Sequence, residues 1–159
     1  MNNSMKKANK RKSPFGQLHH ISIVVQDIDR AVKFYESIGI GPFTDYPPLQ
    51  EYVKLEIPDE EGFFNLMIKC AQIGPIELQL IQPTKGESHY KDFLKNRGEG
   101  VYHLGFVVDD IEQSESVVKE MGLDTISKGR RANGSGFTYL GTADKGGVTL
   151  LIRQSPPEK

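Results

Sequence analysis

The chain has almost no cysteine. Its one thiol, Cys70, excludes an intramolecular disulfide, so the fold must stand on its core. Long apolar runs are absent too: none nears the roughly 18 residues that a membrane-spanning helix needs. The opening stretch, Met1 to Lys12, is polar and basic and lacks the apolar segment of a secretory signal. The expectation is a cytoplasmic protein with no membrane partner. An excess of charge of one sign is also missing. The 20 Lys and Arg against 21 Asp and Glu leave a formal net charge of -1, which gives no whole-molecule field to steer nucleic acid. The basic cluster Lys6, Lys7, Lys10, Arg11 and Lys12 has no aromatic residue among it. It reads as a solvated tail over residues 1–16, and no nucleic-acid partner is expected.

What is present is an internal repeat. The segment Leu18-His19-His20-Ile21-Ser22-Ile23-Val24-Val25-Gln26-Asp27-Ile28 is matched by Val101-Tyr102-His103-Leu104-Gly105-Phe106-Val107-Val108-Asp109-Asp110-Ile111. A shift of 83 residues carries His20 onto His103, Asp27 onto Asp110 and Gly39 onto Gly122. Each copy alternates as a half-buried strand and then reaches an Asp suited to cap a helix. The first helix carries Ile28, Ala31, Val32, Tyr35 and Ile38 as its apolar stripe, and Gly39 ends it. The second carries Ile111, Ser114, Val117, Val118 and Met121 and ends at Gly122, with Gln113 placed to complete a capping box. Further strands are expected at 51–57, 63–71 and 76–82, then at 123–129, 136–141 and 147–153. Ser88 is expected to cap a short helix in the connection.

The predicted architecture is α+β: two βαβββ modules, 17–83 and 101–155, joined by a helical connection over 84–100. Together they form one domain, a curved mixed sheet around a shared cleft with the helices on its outer face. The period-two rule places His20, His103 and Gln79 on the cleft face, because Leu78 and Leu80 are needed for the core. His19 is expected on the opposite face. Two imidazoles and an amide oxygen suit one divalent metal with open positions; zinc, cobalt, nickel, manganese and iron are not distinguished. The same histidines also fit a hydrogen-bonded core pair.

These segments, with Gln79-Leu80-Ile81-Gln82-Pro83, resemble the vicinal oxygen chelate superfamily, the glyoxalase and bleomycin-resistance group, over about residues 17–155. Within it the resemblance is strongest to methylmalonyl-CoA epimerases. It implies metal ligands at His20, Gln79 and His103. The family's fourth ligand, a glutamate in the last strand, falls on Leu151, and its second proton-moving carboxylate falls on Asn65. Leu151 shares the cleft face with Thr149 and Arg153. Neither asparagine nor leucine can take a proton at neutral pH. Asn65 and Leu151 are therefore read as substrate-contacting positions, and Glu77, on the face of Gln79, as the candidate catalytic carboxylate. Arg130, with Lys128 and Arg131, is the candidate site for an anionic substrate such as a CoA thioester. Phe43, Tyr46 and Phe63 are expected near the cleft. The resemblance implies a metal-dependent isomerase or lyase acting α to a carbonyl, as a homodimer. A non-catalytic small-molecule-binding protein of the same fold is the alternative.

Overall fold

The computed structural model describes residues 12–158. Most of the expected basic tail, residues 1–11, lies outside the described residues. From residue 14 the chain is already packed: Pro14 is buried, and the Phe15 ring stands edge-on to Phe106 at 5.4 Å.

The first half runs β1 (Leu18–Val24), α1 (Ile28–Ser37), β2 (Thr44–Asp45), β3 (Tyr52–Glu56), α2 (Glu60–Phe64), β4 (Met67–Ile73) and β5 (Ile76–Gln82). Helix α3 (His89–Arg97) forms the connection. The second half runs β6 (Gly100–Val107), α4 (Ile111–Glu120), β7 (Thr125–Arg131), β8 (Gly136–Leu140), α5 (Ala143–Gly146) and β9 (Thr149–Gln154). The caps fall where the sequence puts them. Asp27 accepts the Arg30 amide, Asp110 the Gln113 amide and Ser88 the Lys91 amide. Gly39 and Gly122 carry the chain out of α1 and α4 with positive φ. The orphan amide at the first position of each of these two helices is also satisfied alike. Ile28 N–H donates to Gln82 Oε1, and Ile111 N–H donates to Gln154 Oε1.

All the strands join one curved, open sheet in the order β2-β4-β5-β1-β6-β9-β8-β7-β3. Its halves meet at the antiparallel β1–β6 seam, flanked by the parallel pairs β1–β5 and β6–β9. The α+β class and the mixed sheet agree with the sequence reading. Four details differ.

Residues 52–56 form a strand as expected, but β3 crosses over and pairs with β7 of the second half. Its place in the first half is taken by the two-residue β2 on β4. Residues 63–71 are not one strand. Asp59 caps a short helix by accepting the Gly62 amide, so 60–64 are helical and the strand begins only at Met67. The helices also divide between the two faces. Helix α1 covers the outer face through Ile28, Ala31, Val32 and Tyr35 against Val25 and Leu80. Helix α3 lies on the cleft face, where Tyr90, Phe93 and Leu94 pack with Val24, Ile81 and Tyr102. Phe43 belongs to the outer cluster, 6.1 Å from Tyr35, and not to the cleft.

The seam carries two irregularities. His19 is an extra residue of β1 between the pairs Leu18–Phe106 and His20–Gly105. Tyr102 is an extra residue of β6 between the pairs Ser22–His103 and Ile23–Val101. Each is a bulge immediately before one of the two repeat histidines. A bulge re-aims the side chains beside it.

A candidate metal-binding cleft

The two bulges gather three imidazoles. His20 Nε2 and His103 Nε2 stand 2.9 Å apart, and His20 Nδ1 lies 2.8 Å from His19 Nδ1. Strict alternation would put His19 on the other face. The bulge breaks the alternation, so the expectation for His19 is corrected: its ring meets that of His20 edge-on, with centroids 5.1 Å apart. His20 lies over Gly105. A Cβ built at 105 would come within 2.0 Å of His20 Cε1, so only glycine leaves room for the ring.

Gln79 lies on β5 beside β1, where Ser22 is its register partner. Its Nε2 donates to Glu77 Oε1 at 2.8 Å, which leaves the amide oxygen free of that contact. His20, Gln79 and His103 are 3%, 5% and 1% exposed, and all three line one cavity. Burial, reinforced by the His103 ring, holds His20 well below the ordinary imidazole range. Burial lowers His103 to about 3. Both rings are therefore neutral at pH 7, the form in which imidazole binds a metal. Ser22 Oγ and His103 Nδ1 are buried without a hydrogen-bond partner among the described residues. Leaving buried polar atoms unpaired is costly, so this is an unusual interior for a purely structural core.

The remaining cavity wall is largely aromatic and aliphatic. Tyr46 follows β2, Tyr52 opens β3, Phe63 comes from α2, Tyr90 from α3, and Phe137 and Tyr139 from β8. Tyr46 and Tyr52 share a hydrogen bond of 2.7 Å, and Tyr90 and Tyr139 share another. Burial pushes the hydroxyls of Tyr90 and Tyr139 well above their usual range, so they stay protonated. Leu151 is buried in this wall at 3% exposure. It sits opposite Gly105 on β6, which is itself the partner of His20 on β1.

The other sequence candidates are placed as follows. Asn65 is exposed at the C-cap of α2, where its amide donates to the Glu61 carbonyl, and it does not line the cavity. Its expected position inside a strand is corrected by the short helix α2. Glu77 turns to Gln79. Arg130 is buried in the second half, paired with Glu112 at 2.9 Å and with Glu115, and it too is outside the cavity wall. Arg131 pairs with Glu51 at 3.3 Å and stands over the Tyr52 ring. Lys128 pairs with Glu115 at 3.4 Å. Arg153, placed on the cleft face by alternation, does line the cavity, and so does His89, which sequence reading did not single out and whose buried Nε2 has no partner among the described residues. Arg153 had a signal in the sequence, since it follows Leu151 by two on one strand. His89 had none beyond the cap at Ser88.

Among the described residues, no group of three or more His, Cys, Asp or Glu side chains is arranged to hold a metal ion. The candidate set therefore depends on the amide of Gln79. No helix among the described residues is long and apolar enough to cross a membrane.

Comparison with known proteins agrees with this architecture. Human mitochondrial methylmalonyl-CoA epimerase is 25% identical over 143 residues, spanning 88% of this chain and 74% of the human protein. The crystal structure of methylmalonyl-CoA epimerase from Mycobacterium tuberculosis superposes with a TM-score of 0.69 at 23% identity, covering 92% of this chain and 93% of that one. A Streptomyces coelicolor methylmalonyl-CoA epimerase variant, in complex with 2-nitronate-propionyl-CoA, gives 0.68 at 25% identity, covering 90% and 99%. The profile of the glyoxalase/bleomycin resistance protein/dioxygenase superfamily matches residues 19–140, and the chain belongs to that superfamily.

Proposed function

We propose that this protein is a divalent-metal-dependent isomerase or lyase that acts on the carbon α to a carbonyl group, with His20, His103 and Gln79 holding the ion. The observation that carries this reading is the approach of the two Nε2 atoms at 2.9 Å. Two nitrogens bound at about 2.0–2.1 Å to one ion in neighbouring positions stand roughly 3.0–3.4 Å apart. The pair needs only a slight opening to fit. The His20 Nδ1–H donates to His19, which turns the Nε2 lone pair toward the cleft. Glu77 acts through Gln79 by holding its NH2 group, so that the oxygen faces inward.

Held by His20, His103 and the Gln79 amide oxygen, a divalent ion would supply Lewis-acid polarisation of a substrate carbonyl oxygen. The chain itself supplies the rest. The ring-lined wall excludes water and holds an apolar substrate body. The Tyr90 and Tyr139 hydroxyls, kept protonated by burial, are donors and not bases. Proton transfer at the α carbon falls to His89. Relatives named as methylmalonyl-CoA epimerases make a CoA thioester the first substrate to try. The protein works as a homodimer in the cytoplasm.

The test is metal analysis of protein purified without chelators, followed by titration with zinc, cobalt, nickel, manganese and iron(II). One equivalent should bind, and His20→Ala or His103→Ala should abolish it. Exchange of the α proton of methylmalonyl-CoA with deuterated solvent reads the chemistry. His89→Ala should slow that exchange by about 100-fold or more while leaving metal affinity unchanged. Failure to find a stoichiometric ion sinks the reading.

Leu151, standing where a fourth ligand would be, favours a second reading: a small-molecule-binding protein without turnover. Wild-type protein without exchange activity, together with a Leu151→Glu variant that gains it, would decide for that reading.

A further inference from the structure

The arginines of this protein are not equivalent. Arg130 is saturated by Glu112, Glu115, the carbonyls of Gly129 and Phe137, and the Thr138 hydroxyl. Arg131 is held by Glu51 and the Tyr52 ring. Arg153 is different. It is half-buried on β9, it lines the cavity, and no carboxylate pairs with it among the described residues. Its contacts are His19, with Nη1 3.2 Å from Nε2 and 3.4 Å from Nδ1, and Ser155 Oγ at 3.4 Å.

Partial burial removes water from a guanidinium, and an unpaired cation in that position is costly. Nothing in the fold requires it there. Arg153 does not cap a helix, and its strand is paired on both sides through β6 and β8. Its place is set by the site. It follows Leu151 by two residues on one strand and so shares its face, beside the Gly105–His20 contact. The ring of His19 lies beside it, but its one acceptor nitrogen faces His20, so it does not satisfy the guanidinium.

We propose that Arg153 is the anion anchor of the cleft, the residue that selects the acid member of a pair of substrates differing only by a carboxylate. A guanidinium offers two parallel N–H donors to a carboxylate, so it fixes orientation as well as charge. This rests on the proposed function in placing the substrate in this cleft, and it can be tested separately from metal binding.

The experiment is calorimetric titration of the full chain with two matched pairs. Methylmalonyl-CoA and propionyl-CoA differ by one carboxylate. The 2-oxobutyrate anion and its methyl ester differ in the same way without the CoA group. In at least one pair the acid should bind the wild-type protein at least tenfold more tightly. Arg153→Gln should bring the two members within twofold of each other while keeping its melting temperature and metal stoichiometry. Should Arg153→Gln not fold, Arg153→Lys carries the test: its preference should fall below fivefold, and an undiminished preference overturns the proposal. Equal binding of acid and neutral partner to the wild type in both pairs, no binding of either pair, or a preference that survives in Arg153→Gln also overturns it. Repeating the titration with a chelator present separates the outcomes. Loss of metal binding with the acid preference intact removes the functional reading and leaves the anchor.

Discussion

A single hydrogen atom decides whether the histidine pair can exist. Gly105 has no Cβ, and the His20 ring occupies the space that a Cβ would need. Gly105→Ala forces either the ring or the strand to move, at a cost of about 1–3 kcal/mol. Two measurements check this. The urea midpoint should fall, and divalent-metal affinity should drop by about tenfold or more. A variant as stable and as tight as the wild type would show that the ring does not lie where it is described. Leu151 makes the opposite point, because there the side chain is present, buried in the cavity wall and apolar. On the proposed reading of His20, Gln79 and His103 as ligands, Leu151 beside them leaves the set with neutral donors only. Leu151→Glu should therefore tighten zinc binding by at least about tenfold, read by competition with a chromogenic chelator.

Helices α1 and α4 are stabilised by the strands they follow. Gln82 and Gln154 each reach across to the first amide of a helix, so each half is tied end to beginning. Gln154→Leu should lower stability by about 1 kcal/mol through the orphaned Ile111 amide, read as a drop in melting temperature. No change would mean that water replaces the side chain without loss. The caps, the helices and most strand positions were legible from period and capping residues, because these are local features. The strand at 52–56 was legible, but its partner was not. Pairing is a long-range choice, and β3 prefers the open edge at β7 over a place beside β4. The Asn65 position failed for a local reason: the turn residues after Pro58 continue into a helix capped by Asp59. Of the site, His20, Gln79 and His103 were legible from the repeat and from alternation. His19 was not, because alternation counts only unbroken strands. Arg130 was chosen from its charge alone, and its burial against Glu112 and Glu115 could not be seen from the sequence.

At the scale of the whole molecule, the cleft imposes a pH dependence on folding. His20 and His103 are buried neutral, so their folded pKa values lie below the ordinary 6.5. Between pH 6.5 and about 3, the unfolded chain takes up protons that the folded His103 refuses. Stability is full above pH 6.5 and falls as pH drops through that window, by up to about 1.4 kcal/mol per pH unit for each ring. Urea midpoints at about pH 7.5 and about pH 5 should differ in that direction, and an equal or higher midpoint at the lower pH would refute the burial argument. The two seam bulges bear on the whole molecule in another way. They behave like a frameshift and its suppressor. The extra residue at 19 advances one strand by a step, and the extra residue at 102 returns the other by the same step, so the ladder beyond them is in phase. Deleting His19 alone leaves the seam out of phase to its end. Deleting His19 and Tyr102 together restores an unbroken ladder and gives back the sheet, but with the window that aims both histidines removed.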